Sequence, residues 1–339
     1  MTVSIIMSPD RLEQEHAMLN RLTVGLMDDG TQVLQITPMH SEEIVLYEKT
    51  ISLAKRIHTP MPVSFLLRKT RREKVSESLA RAKTTIIAAF GKHATQLALD
   101  VSSILNVPVL SEVVSMKDAL KTKTSSPIWR WFAATPTIER AIASRVGQER
   151  TALVPLGIAT HNVDHSTPNI SREFCVTVLD AADDPKASLA ILEALQKQKD
   201  IHIFLELTGR KQHRIWRIVQ DLNMLQQVTC LRDASELRSL ITQSNLIIIP
   251  SLQAPIRTVL LEAMHSGVPV VAPEIAGFDM LIDEETALIV DNDWGEPIQR
   301  IISDPNTAFR IGSAGSELVT THYSSSTQIE AFEAAFSLI

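Results

Sequence analysis

Hydrophobic positions along this chain alternate between short unbroken runs and longer stretches with a period near four. The runs at 3–7, 33–36, 84–89, 107–110 and 129–134 are too short for helices and read as strands. Between them, 12–27 carries Leu19, Leu22 and Leu26 on one stripe and stops at Asp28-Asp29-Gly30, the pattern of an amphipathic helix. Further helices are expected at 95–105 and 136–146. Weaker strand candidates lie at 44–47 and 63–67, with a helical stretch near Leu53 between them, and 151–155 closes the half. Strand and helix in steady alternation predict a doubly wound, mostly parallel sheet of about six strands.

The pattern then breaks and restarts. Residues 161–172 are polar and contain Pro168, which reads as a linker. Strands are expected at 174–179, 201–207, 228–231, 246–249, 268–272 and 288–290, with helices at 188–196 and 235–241. Trp216, Ile218 and Leu222 suit the core face of another helix. A helix over 258–265 takes Thr258 as its N-cap and Gly267 as its stop. Helices at 297–302, 306–319 and 326–336 complete the chain. The division expected is a first Rossmann-like domain at 1–160, a linker at 161–172 and a second domain at 173–325. A C-terminal helix at 326–339 would return to the first domain.

Composition narrows the class. Hydrophobic residues make up 45% of 339 and charged residues 21%, the balance of a soluble globular protein. A net charge of -6 argues against general nucleic-acid binding. Cys175 and Cys230, in apolar strand-like surroundings, read as buried free thiols. No run of eighteen apolar residues occurs and the N-terminus lacks a basic-then-apolar signal pattern, so a cytoplasmic protein is expected. Glycine is scarce, 11 in all, which is low for a fold that receives phosphates through glycine turns. His161, Asp164 and His165 have loop spacings that suit no metal site.

Ordered blocks in the second half carry a resemblance. Pro250-Ser251, Leu260-Leu261-Glu262-Ala263-Met264, 266–272 (SGVPVVA) and Asp283-x-Glu285-Thr286-x-Leu288-Ile289-Val290 are similar to the nucleotide-sugar half of retaining group 1 (GT4-like) glycosyltransferases. The resemblance implies a GT-B fold, two Rossmann-like domains facing a central cleft. It gives Glu262 the donor's ribose and the backbone at Thr258 and Val259 the diphosphate, with Ser251, Gly209 and Arg210 in the same donor set. Residues 180–187 (DAADDPKA) are similar to the family's glycine-arginine-leucine to lysine-glycine element. Lys186 keeps the lysine, whereas Ala181 replaces the arginine and both glycines are gone. Ala254 stands where the family has a second glutamate, and Arg257 where it has a glycine. Arg257 would either offer a guanidinium to the diphosphate or block it.

In the first half, the turn 8–10 (SPD) lacks glycine, so an anion pocket there needs another construction. The family's catalytic histidine is missing after the strand at 107–110. His93 and Glu112 are the catalytic candidates in its place, with a helix-start surface histidine and a partly exposed strand-end carboxylate as their plainer readings. Arg68, Lys69, Arg71, Arg72 and Lys74 form a basic cluster at a helix start. It is either a solvated polar face or a patch meeting an anionic acceptor or a membrane surface. The resemblance implies transfer of a sugar, with retention, from a UDP- or GDP-linked donor to a glycan or lipid-linked acceptor, with no cofactor and no metal. The losses at 181 and 254 keep a second reading open: a non-catalytic homologue acting as a binding or subunit-stabilising partner.

Overall fold

The apolar runs assemble into two separate sheets in which every ladder is parallel. A computed structural model of the chain describes residues 1–39, 54–61, 64–161, 174–198, 200–207, 212–232, 234–291 and 293–336. Two compact units emerge, Met1–Gly157 with Ser325–Ile339, and Ile158–Ser324. The strand expected at 44–47, the helical stretch near Leu53 and nearly all of the linker at 161–172 lie outside the described residues.

In the first unit the strands are β1 (Thr2–Met7), β2 (Gln32–Pro38), β3 (Lys55–Thr59), β4 (Ile86–Phe90), β5 (Val109–Val113), β6 (Arg130–Ala133) and β7 (Thr151–Leu153), in the order β3-β2-β1-β4-β5-β6-β7. Helices α1 (Pro9–Asp28), α2 (Phe65–Arg81), α3 (Lys92–Leu105), the short α4 (Met116–Ala119) and α5 (Pro136–Val146) connect them. Among the described residues the first sheet has seven strands, against the expected six or so. The extra one, β3, is an edge strand whose sequence KRIHT leaves most side chains at least partly exposed, so it carries no apolar run to read. Residues 65–67 open α2 instead of ending a strand. Buried Arg71, Val75 and Leu79 recur every four residues, a helical period.

The second unit orders β8 (Phe174–Val178), β9 (Ile201–Glu206), β10 (Val228–Leu231), β11 (Leu246–Ile248), β12 (Val270–Pro273) and β13 (Leu288–Val290) as β10-β9-β8-β11-β12-β13. Helices α6 (Pro185–Gln196), α7 (Gln212–Asp221), α8 (Ala234–Ile241), α9 (Thr258–His265), α10 (Gly295–Ser303) and α11 (Pro305–His322) belong to it. Its core joins Val176, Val178, Ile203 and Leu205 from the sheet to Ile191, Leu195, Ile215 and Ile298 from the helices. Cys175 and Cys230 are free but half-buried, not buried as expected.

The last helix, α12 (Ser325–Phe336), belongs to the first unit. Phe332 is fully buried, with ring centroids 4.9 Å from Phe132, 5.5 Å from Phe336 and 6.3 Å from Phe90. Arg130 Nη1 donates to the carbonyl of Ala335 at 2.5 Å. In each sheet the strand order reverses beside the first strand of the unit, between β1 and β4 and between β8 and β11. Crevices outside the carboxyl ends of strands at such reversals are where doubly wound sheets receive ligands.

Candidate functional site

Three strand ends meet at the reversal in the second unit. Val178 of β8 pairs with Leu205 of β9, so the residues that follow, Leu179-Asp180 and Glu206, come side by side. Asp180 N–H donates to Glu206 Oε2 at 3.0 Å and Ala181 N–H to the Glu206 carbonyl at 3.1 Å. Asp180 adopts a left-handed φ of 47°, a conformation that favours glycine and tolerates aspartate. It occupies the first glycine position of the element at 180–187, keeping a glycine-like backbone while adding a carboxylate.

From the third strand end, β11, the chain loops to Arg257, the N-cap of α9. Arg257 is 3% exposed and its side chain makes no cap. Instead it forks onto Glu206, Nη1 to Oε2 and Nη2 to Oε1, both at 2.8 Å, and Nη1 reaches the two Asp180 oxygens at 3.2 and 3.3 Å. Burial pushes Asp180 up to about 6, opposed by Arg257 and reinforced by Glu206 and Asp183. The guanidinium is tied to the protein's own carboxylates.

Glu262 lies one turn into α9. Its Oε2 accepts from Arg238 Nη1, and Arg238 Nη2 donates to Thr258 Oγ1 at 2.7 Å. Thr258 is therefore not the N-cap; it is the first helical residue, fully buried, with its hydroxyl accepting from α8. Val259 is buried, as is Ala254. Ser251 is buried and accepts the Gln253 N–H at 3.2 Å. Lys186 begins α6 with an exposed side chain, while Asp184 Oδ1 caps the N–H groups of Lys186 and Ala187 at 3.1 and 3.0 Å. Gly209 and Arg210 lie outside the described residues. The far end of α9 is held too: His265 Nδ1 meets Thr320 Oγ1 at 3.0 Å, and its Nε2 accepts the His161 N–H at 3.3 Å.

The reversal in the first unit carries a similar ion cluster. Arg11, in the first turns of α1, forks onto Glu112 of β5 at 2.8 and 2.6 Å and reaches Glu15 at 3.3 Å. Glu112 is thus buried and committed through both oxygens to Arg11, so as a sugar-facing catalytic group it is corrected to an anchoring one. Burial raises its carboxyl above the ordinary range although Arg11 pulls the other way. Gly91, φ 88°, lies so close to Ser8 and Arg11 that a Cβ there would stand 2.0 Å from Ser8 Oγ. This glycine, at the end of β4, packs against the glycine-free turn 8–10. His93 follows it, exposed on the first turn of α3.

The basic cluster is not an open five-cation face. Arg68 pairs with Asp100 at 2.5 Å, and Arg71 is buried 3.6 Å from the same carboxylate. Lys69 and Lys74 face solvent. Among the described residues, no group of three or more His, Cys, Asp or Glu side chains converges on a metal position, and no helix is long and apolar enough to cross a membrane. Asp164 and His165 lie outside the described residues.

Sequence reasoning did not anticipate Arg238, Asp180, Glu206 or Arg11 at these sites. Two signals were present. Glu206 ends an apolar strand with a charge, and Asp180 replaces a glycine directly after one. Neither names its partner.

A model of the family described as Glycosyl transferases group 1 matches residues 175–304, within the second unit. Over 130 residues the chain is 32% identical to the D-inositol 3-phosphate glycosyltransferase of Pseudarthrobacter chlorophenolicus, a match taking in 35% of this chain and 31% of that protein. The protein of the same description from Corynebacterium glutamicum is 30% identical over 95 residues, 26% of this chain and 23% of its own. The chain thus matches less than a third of the length of these curated relatives. Among solved structures, sucrose-phosphate synthase from Thermosynechococcus elongatus aligns over 100% of this chain and 98% of its own, with a TM-score of 0.77 at 18% identity. HepE from Anabaena in complex with UDP-glucose aligns over 100% of both chains, with a TM-score of 0.79 at 15% identity. The fold is that of GT-B glycosyltransferases, two Rossmann-like parallel units.

Proposed function

We propose that this chain is a glycosyltransferase that takes a sugar from a nucleotide-diphosphate donor, UDP- or GDP-linked, and passes it with retention to a glycan or lipid-linked acceptor. The observation that carries this reading is Glu262, set one turn into α9 and oriented by Arg238 within the segment similar to group 1 enzymes. In this reading Glu262 holds the ribose. The amides at Thr258 and Val259, at a helix N-terminus, receive the diphosphate, and Ser251 lies on the loop leading to them. The anomeric bond to the diphosphate breaks as one to an acceptor hydroxyl forms, the hydroxyl proton passes to the departing diphosphate, and the charge remaining on it is offset by those amides and by exposed Lys186. Arg210 and Gly209, which follow β9 in the sequence, belong to the same donor set.

His93 takes the sugar-facing role, since Glu112 is engaged in fixing Arg11. The reading requires no metal and no cofactor. In this reading the protein is cytoplasmic, with Lys69, Lys74 and the outer part of Arg68 as the cations that would meet an anionic lipid surface.

A specific observation favours a second reading, a non-catalytic homologue that binds or stabilises a partner. Arg257 is locked to Asp180 and Glu206, and Ala254 and Ala181 supply neither carboxylate nor cation. Melting the purified chain with UDP, GDP and their sugars, while assaying released nucleoside diphosphate, separates the two. A working donor site gains about 2.7 kcal/mol at ~100 times the dissociation constant, and Glu262→Ala removes most of that gain. No shift and no release with any donor leaves the second reading standing.

A further inference from the structure

We propose that Asp180 and Glu206, by holding Arg257, are built-in competitors of the donor's diphosphate for that guanidinium and so set how much of the donor's affinity its phosphates supply. The inference rests on the donor-site reading above and deepens it.

Position comes first. The guanidinium lies against Asp180 and Glu206 at the carboxyl ends of β8 and β9, and Arg257 itself is the N-cap of α9. Helix N-termini at such strand-order reversals draw anions through the helix dipole. Chemistry comes second. A guanidinium makes the same two-pronged bond to a carboxylate as to a phosphate, so Glu206 already occupies the fork that a phosphate would use.

Charge comes third. Asp180 and Glu206 bring two carboxylates to one guanidinium, and a diphosphate arriving there meets anionic repulsion as well as an occupied cation. Burial raises the Asp180 pKa, with Arg257 opposing the rise and Glu206 adding to it. Burial comes last. With Arg257, Asp180, Glu206, Ser251 and Ala254 all under 9% exposed, a phosphate can use the fork only by displacing a carboxylate from it. Glu262, paired with Arg238 through Oε2, keeps a partly exposed side chain.

Isothermal titration of the full chain with uridine, UDP, guanosine and GDP tests this. In the wild type the diphosphate should bind less than about tenfold tighter than its nucleoside. The triple variant Asp180→Asn, Glu206→Gln, Arg257→Gly removes all three charges, and asparagine tolerates the left-handed backbone at 180. There the advantage of diphosphate over nucleoside should grow by about tenfold or more. A wild-type advantage above tenfold, or a folded triple variant whose advantage is unchanged or smaller, overturns the proposal. If circular dichroism shows that the variant does not fold, the wild-type ratio decides. Should the wild type bind neither nucleoside nor diphosphate, the donor reading falls. Diphosphate binding by the triple variant would then still uphold the competitor, and its absence would overturn it.

Discussion

Asp180 holds three roles at once: a left-handed turn residue, a backbone donor to Glu206 and an ion-pair partner of Arg257. Burial lifts the Asp180 carboxyl from 3.8 to about 6, with Arg257 opposing the rise and Glu206 adding to it. The folded chain therefore takes up a proton near pH 6 that the unfolded chain takes up only near the ordinary aspartate value. Stability contributed by this group grows as pH falls through that window and is lost as pH rises above it. Urea melts at pH 7 and pH 5 should show a gain at the lower pH that Asp180→Asn lacks. Equal pH dependence in the two proteins would remove the account.

At the scale of the element, α9 is placed by what clasps its two ends. Arg238 ties its first turn to α8 through Thr258 and Glu262. At its other end Ser316 Oγ donates to the His265 carbonyl at 2.6 Å, and Gly312 lets α11 approach the stop residue Gly267. A Cβ on Gly312 would stand 1.9 Å from the Gly267 carbonyl oxygen, a backbone atom that cannot rotate away. Gly312→Ala should therefore cost about 1–3 kcal/mol of stability, the usual price of overpacking. It should also weaken any nucleoside binding through Glu262, because the helix carrying that side chain must shift. Unchanged denaturation midpoints would show that α11 yields at no cost. The stop at Gly267 was legible in the sequence, since a glycine with φ 77° is what a helix end of this kind selects. The clasp was not, since nothing local marks Gly312 as facing Gly267.

Across the whole molecule, the last stretch of chain completes the unit formed by the first. Phe332 packs on Phe90 of β4 and Phe132 of β6, and Gln328 Nε2 donates to Met18 Sδ at 2.9 Å. Truncation after Ser324 exposes that aromatic cluster. Hydrogen exchange should then show lost protection in β4, β6 and β7 of the first unit, with β8 and β11 of the second keeping theirs. Uniform loss across both sheets, or none, would contradict the assignment of α12 to the first unit. The alternating runs made nearly all the strands of both sheets readable. The exception was β3, a polar edge strand with too little buried surface to leave a pattern.

Local period and punctuation settled which residues become strands or helices, because each element satisfies its backbone within a few residues or through a uniform parallel ladder. They also placed Glu262 in a helix that begins at a strand's carboxyl end. What decided the site's chemistry was pairing across distance: Arg257 with carboxylates 51 and 77 residues away, and Arg11 with Glu112 101 residues away. Such partners are set by which strand ends become neighbours, a consequence of sheet order. Only the folded chain therefore turned an arginine that could have met a phosphate into one already held by its own carboxylates.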